Sequence, residues 1–295
     1  MKKLLFSALV GAMIISCSRD NDNTNPTTPQ APAISQTVIL PTKLTSSKTG
    51  KADEVTTFSY NGNKLMKVTH HDNKDQTYTY TGDLITSMNN ANEGSYVFNY
   101  DSNGNLISEK GESYNGSIKF NENDITYTIN GSTVTAQKIS KNYDDITGTL
   151  SSITTSTITY TLDAKKRPTK MVEQKDTFDG SNNKTSEYTS TETFVYTSHQ
   201  NLLKDIKGMD KLYHSHFMLT DMDELYDKNI SEYKEESTEV TILGGNRHTS
   251  NVKSEIKYTY ITNANNYPVK QQESHKDPSK GGIFVDDEGY TTIKY

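Results

Sequence analysis

The sequence predicts an all-β protein: a curved antiparallel meander of short hairpins. Three observations carry this. Aromatic residues recur at a fixed spacing, with Tyr60, Tyr80, Tyr100 and Phe120 twenty residues apart and Tyr160 two periods further on. Around each of them apolar residues alternate with polar ones, as in Phe58 and Tyr60, Tyr78 and Tyr80, Tyr96, Phe98 and Tyr100, Ile118 and Phe120, Ile158 and Tyr160. That period of two puts the aromatic side chains of a strand on one face. Turn chemistry then follows: Asn61-Gly62-Asn63, Thr81-Gly82-Asp83, and Asp101-Ser102-Asn103-Gly104-Asn105 each precede an aliphatic residue. Asn and Gly tolerate the positive φ that tight hairpins require.

One unit is therefore a hairpin of about twenty residues, which buries its apolar face only against its neighbours. The expected sheet has about 14–18 strands, with Tyr, Phe, Leu and Ile on its concave side, and a half-barrel or a short spiral is its expected extent of rolling. Later copies are looser: Phe194 and Tyr196 precede Leu202-Leu203, and Ile256, Tyr258 and Tyr260 precede Tyr267-Pro268-Val269. Strands lengthen there, over 186–196, 231–243 and 247–260, with Leu243-Gly244-Gly245-Asn246-Arg247 as the hairpin turn between the last two. Between Asn201 and Asn229 the alternation fails. Met209, Leu212, Phe217, Met218, Met222 and Leu225 recur irregularly there, which fits a short helix or a packed loop covering the sheet.

Composition agrees. The apolar fraction is 32%, tryptophan is absent, and 19 tyrosines take its place. With 31 basic and 37 acidic residues the net charge is −6, which gives no electrostatic basis for binding nucleic acid.

The amino terminus has a different character. Met1-Lys2-Lys3 is followed by an apolar run from Leu4 to Ile15 and then by the only cysteine, Cys17. Twelve apolar residues reach about 18 Å as a helix, too short for a bilayer core of roughly 30 Å, so the run reads as a cleaved export signal. Residues 21–35 hold three of the seven prolines and almost no apolar side chain, which is the composition of an extended tether. The expected organisation is a signal peptide over 1–16, an anchor and tether over 17–36, and one β domain over 37–295.

The segment ending Ile14-Ile15-Ser16-Cys17 resembles the lipobox of bacterial lipoproteins, which implies that Cys17 is diacylated and becomes the mature N-terminus. The acidic stretch around Asp20 and Asp22 resembles the surface-export signal of Bacteroidota lipoproteins, and a periplasm-facing anchor is the alternative. Phe98-Asn99-Tyr100-Asp101-Ser102-Asn103-Gly104-Asn105-Leu106 resembles the YD repeat of the RHS family, and the rest of 53–270 is similar in degenerate form. The resemblance implies a long, spiralling β-sheet. The whole is similar to small lipoproteins of Bacteroidota that carry such repeats, and implies an outer-membrane lipid anchor.

Candidate chemistry is sparse. His70-His71-Asp72 and His214-Ser215-His216 with Asp221 are the histidine clusters, and His214, His216, Asp221 and Asp223 form the weak candidate metal set. Asp221, Asp223, Glu224 and Asp227, and separately Asp286-Asp287-Glu288, concentrate oxygen ligands without the spacing of a calcium loop. No nucleophile elbow, phosphate-binding glycine loop or catalytic cysteine is present, so no catalytic residue and no cofactor are assigned. The expectation is a lipid-anchored, non-catalytic envelope protein that binds or displays a glycan, peptide or protein. The alternative is a metal- or carboxylate-dependent hydrolase of surface polysaccharide or peptide. A transmembrane barrel is disfavoured, because the positions between the tyrosines are Thr, Ser, Asn, Lys and Asp.

Overall fold

The computed structural model describes residues 38–71, 75–91, 94–215, 230–277 and 282–295. The chain divides into two units, Met1–Thr37 and Val38–Tyr295, and all described residues belong to the second. Cys17 and the tether lie outside them.

Sixteen antiparallel strands form one sheet. They are β1 (Lys43–Lys48), β2 (Glu54–Asn61), β3 (Lys64–Thr69), β4 (Gln76–Thr81), β5 (Leu84–Asn90), β6 (Gly94–Tyr100), β7 (Leu106–Asn115) and β8 (Ile118–Asn130). There follow β9 (Thr133–Tyr143), β10 (Leu150–Leu162), β11 (Pro168–Asp179), β12 (Lys184–Tyr196), β13 (Ile230–Leu243), β14 (Asn246–Thr262), β15 (Pro268–Asp277) and β16 (Ile283–Lys294). Every strand pairs with its neighbours in sequence, and β1 pairs with β16 from Lys43↔Lys294 to Lys48↔Gly289. The sheet is therefore a closed barrel, not the half-barrel or spiral expected. The strand count lies within the expected range. Full closure leaves no edge strand along the seam, which an open sheet of this width would expose.

The barrel is lopsided. Strands β1 to β6 are six to eight residues long, whereas β10, β12, β13 and β14 run to 13, 13, 14 and 17. The strands of the back half thus rise beyond the front wall. The expected strands in that half differ from the observed ones by only one or two residues at their ends, and Gly244 and Gly245 turn β13 into β14 at φ 57° and 82°.

The twenty-residue spacing has a physical cause. At the end of the second strand of six of the eight hairpins a tyrosine hydroxyl is bonded to the backbone near the start of the strand before it. Tyr60 donates to Pro41 O at 2.8 Å, Tyr100 to Ile85 O at 2.6 Å, Tyr196 to Pro168 O at 2.7 Å and Tyr260 to Ile230 O at 2.6 Å. Tyr295 donates to Pro268 O at 2.8 Å, and Tyr80 accepts from Leu65 N at 3.0 Å. Tyr60, Tyr80, Tyr100 and Tyr196 each adjoin a register shift, where a bulge frees a backbone group to be bonded. Burial raises the hydroxyl pKa of Tyr80 to about 12 and pushes those of Tyr60 and Tyr100 higher still, so these hydroxyls stay neutral.

Two members of the spacing do not belong to this series. Phe120 lies beside the β7–β8 turn at the opposite end of the barrel and is exposed. Tyr160 is fully buried two residues before its bulge, at which Leu162 sits instead.

A second repeated device is the turn. Asp101 Oδ1 accepts from Asn103 N and Asn105 N, both at 2.9 Å. Asp163, Asp179 and Asn263 repeat the pattern with the backbone of Lys165 and Arg167, Ser181 and Asn183, and Asn265 and Tyr267. The fourth residue of each turn is left-handed: Gly104 at φ 74°, then Lys166 at 65°, Asn182 at 65° and Asn266 at 62°. A lysine has no side-chain compensation for that conformation. Lys166→Gly is expected to stabilise the barrel by roughly 0.5–1 kcal/mol, raising the melting temperature by about 2 °C in a calorimetric scan. Asp163→Ala should lower it.

Candidate functional site: a plugged barrel with a polar cup

Alternation along the strands sorts side chains into an inner and an outer set. The inner set is apolar at one end of the barrel. Leu65, Ile85, Leu106, Val134, Ile158 and Tyr160 are each 0% exposed. Residues 201–215, a described part of the linker between β12 and β13, fold into this end. They contribute Leu202, Leu203, Met209 and Leu212 at 0% and Ile206 at 2%, with one 3-10 turn over Met209–Lys211. Over 201–215 the broken alternation is thus that of a plug filling the barrel, with a single helical turn, while Phe217, Met218, Met222 and Leu225 lie outside the described residues. Asp205 holds it by accepting from Ile39 N at 3.0 Å and Tyr267 Oη at 2.8 Å, and Lys207 N donates to Asn63 O at 2.9 Å. Gly208, at φ 81°, passes so close to Asp83 that a Cβ there would lie 2.7 Å from its carbonyl oxygen.

At the inner edge of the plug lies a buried polar cluster. Glu109 of β7 is 0% exposed and accepts hydrogen bonds from Tyr127 Oη and, at 2.7 Å, from Ser215 Oγ. His214 packs edge-on against Tyr127, with ring centroids 5.4 Å apart, and its buried Nε2 has no partner. Burial lowers the His214 pKa to about 4, helped by the charge of Lys166 and opposed by a bond to the Leu106 backbone. The unfolded chain takes up that proton near pH 6.5 and the folded one only near 4. The contribution is therefore complete above 6.5 and lost as pH falls through that window. Urea midpoints at pH 7 and pH 4.5 should show a loss on the order of 3 kcal/mol that His214→Gln largely removes.

His214 is accordingly a plug residue. His216, Asp221, Asp223 and the 221–227 acidic group lie outside the described residues. Among the described residues no three His, Cys, Asp or Glu groups converge to hold a metal ion. His70 Nδ1 lies 3.5 Å from Thr56 Oγ1, and Asp286 accepts from Ser274 Oγ at 2.7 Å.

Towards the other end the inner wall turns polar and partly exposed. Asn121, Asn123, Lys138, Ser140 and Asn142 line β8 and β9, and Thr154 and Ser156 line β10. Glu173 and Lys175 on β11, Tyr188, Ser190 and Glu192 on β12, and Tyr233, Glu235 and Ser237 on β13 continue the ring. A cavity against β9 to β12 is lined by the inward row Lys138, Ser156, Lys175 and Tyr188 and by residues on either side of it. The interior is a cup with an apolar floor and a polar wall.

The outer wall is hydrophilic. Thr57, Ser59, Thr77, Thr79, Asn89 and Asn99 are exposed on the front strands. Further round, directly opposed residues form ion pairs: Lys110 with Asp124 at 2.9 Å, Lys141 with Glu122 at 3.1 Å, and Lys253 with Glu236 at 2.9 Å. Each such lysine at the middle of a bilayer would cost about 2–4 kcal/mol. Apolar side chains such as Val97, Ile139 and Val195 are exposed between these polar ones.

Fold and interior together define a class: a closed sixteen-stranded antiparallel barrel, plugged at one end, with a polar cup and cross-strand ion pairs on its outer wall. No family model matches the chain, and no curated protein does. Among solved structures it is similar to a porin-like protein from Bacteroides vulgatus, with TM-score 0.50 and 14% identity over 87% of this chain and 98% of that one. A porin-like protein from Bacteroides uniformis is more distant, with TM-score 0.32 and 11% identity over 86% and 96%. At 14% identity the first likeness supports the fold alone.

The Glu109 cluster and the Asp163, Asp179 and Asn263 turns were not singled out by sequence reasoning. The turns carried a signal, an Asp or Asn at the end of a strand followed by a run of polar residues. Glu109 carried none, being one acid among 37.

Proposed function

We propose that this chain is a lipid-anchored protein of the outer cell envelope, displayed at the cell surface, whose barrel stands in water and whose cup binds a ligand without catalysis. The observation that carries the reading is the pairing of an ion-paired outer wall with an apolar plug. A pore-forming barrel needs the reverse arrangement, apolar outside and open through its length. A closed end and a polar cup favour holding a ligand over passing one. The YD-like turns and tyrosine bonds serve as scaffold in this reading, and the cup is the contact surface.

The test is electrical and optical. The mature chain, added to planar bilayers or to dye-loaded vesicles, is expected to give no conductance steps and no dye release. Stepwise conductance would overturn the reading in favour of a channel. Protease digestion of intact cells decides the leaflet, with cleavage expected for surface display.

A further inference from the structure

We propose that two copies of this chain join rim to rim, the bare edge of β14 in each pairing with the bare edge of β16 in the other. The proposal goes beyond the binding role of the cup and does not depend on it.

At the end away from the plug the rim falls in two steps, and each step leaves a strand edge bare. β14 pairs with β13 from Leu243↔Asn246 onwards, but with β15 only from Ile256↔His275. Residues 246–253 therefore have a strand partner on one side only among the described residues, and all of them are exposed. β16 pairs with β15 up to Asp277↔Ile283, but with β1 only as far as Lys48↔Gly289. Residues 283–288 are thus bare on the side of β1 among the described residues. Alternate residues of such an edge turn N–H and C=O away from the sheet, a template for a further strand.

The strand order fixes how a second copy can meet these edges. Both face the same way round the barrel, from β14 towards β1. A second copy fits against them only when turned over, which also sets its strands antiparallel. One two-fold axis, passing between β15 and β16, then forms both contacts at once. The uneven rim suits this arrangement. Across that axis β1, β2, β3 and β5, of 6, 8, 6 and 7 residues, face β14, β13, β12 and β10 of the second copy, of 17, 14, 13 and 13.

Charge and apolar exposure point to the same partner. Residues 246–253 hold Arg247, His248 and Lys253 and no acid, whereas residues 283–288 hold Asp286, Asp287 and Glu288 and no base. Like edges repel and unlike edges attract, which selects β14 on β16 over β14 on β14. Arg247 and Lys253 also reach Glu187 and Glu236 on their own wall, through exposed pairs that water keeps weak. Among the described residues the three most exposed large apolar side chains are Ile146 at 78%, Ile283 at 66% and Leu243 at 62%. All three stand on this rim, at the β9–β10, β15–β16 and β13–β14 turns, and contact between rims would take them out of water.

Sedimentation velocity of the Cys17→Ser chain, over about a hundredfold range of concentration, provides the test. A reversible equilibrium between monomer and dimer is expected. Thr249→Glu, on the β14 edge, should weaken association at least about tenfold, and Asp286→Lys, on the β16 edge, should do the same. The two together should regain much of the loss, because exchanging the charges restores the attraction. Ser59→Glu, on the front outer wall, should associate as the parent does. Melting curves are compared first. Thr249 is exposed, so its variant keeps the test open where Asp286→Lys, which loses the bond from Ser274, fails to fold. A monomer at every concentration overturns the proposal. So does a dimer indifferent to both edge variants, or association that continues beyond two copies.

Discussion

Cys17→Ser is expected to move the whole protein from the membrane fraction to the soluble one and to abolish labelling by radioactive palmitate. The thiol is the only one in the chain, so no other side chain can take its acyl groups. Two or more acyl chains hold a protein to a bilayer, whereas one gives only marginal binding. The outer wall adds a specific expectation: the released protein should stay in solution without detergent, because the charges opposed across its strands are already satisfied in water. Retention of the Cys17→Ser protein in membranes would mean that the signal is uncleaved or that the barrel itself contacts lipid. Detergent-dependent solubility would single out the second.

Leu203→Asp should be the most damaging substitution in the described part of the chain. Leu203 is 0% exposed within the plug, and a carboxylate there would have no counter-charge and little access to water. Unpaired buried charge is among the few mechanisms that cost more than about 4 kcal/mol. The chain then has the choice of unfolding or of expelling the plug. Calorimetry and limited proteolysis distinguish the two, since expulsion exposes residues 201–215 to cleavage while the strands still melt cooperatively. Lys204→Asp, one residue further on and exposed, should shift stability by no more than about 0.5 kcal/mol. Equal effects of the two would disprove the plug.

How much of this was legible in the sequence depended on the range of the interaction involved. Strands and turns are local, and alternation placed β13 and β14 to within two residues of their observed ends. The tyrosine spacing was legible as a repeat, although Phe120 and Tyr160 were counted in it for their position when neither adjoins the bulge at which the others bond. Closure was not legible. It depends on the number of strands and on the summed stagger around the sheet, and no single residue carries either. The plug was visible only as a loss of pattern, because a segment packed on all sides needs no periodicity. His214 attracted attention as a metal candidate for standing beside another histidine. Its place against Tyr127 comes from a contact across 87 residues that spacing cannot reveal. The acidic residues of the cup share a face only through the registers of three strands, and were hidden among the other acids for that reason.

The seam between β1 and β16 has a consequence for how this molecule comes into being. Thr42 Oγ1 donates to Lys294 O across 252 positions of sequence, and all other strand pairs join neighbours in the chain. Hairpins of about twenty residues can therefore zip in order as the polypeptide emerges, but the ring cannot be completed until its last strand is free. Loop closure over such a span is slow, and the two unpaired margins stay adhesive while it is pending. Folding during export should thus be quick in its early phases and end in a single late step that requires the final dozen residues. A chain cut short before β16 would keep two open margins and associate with other chains through them.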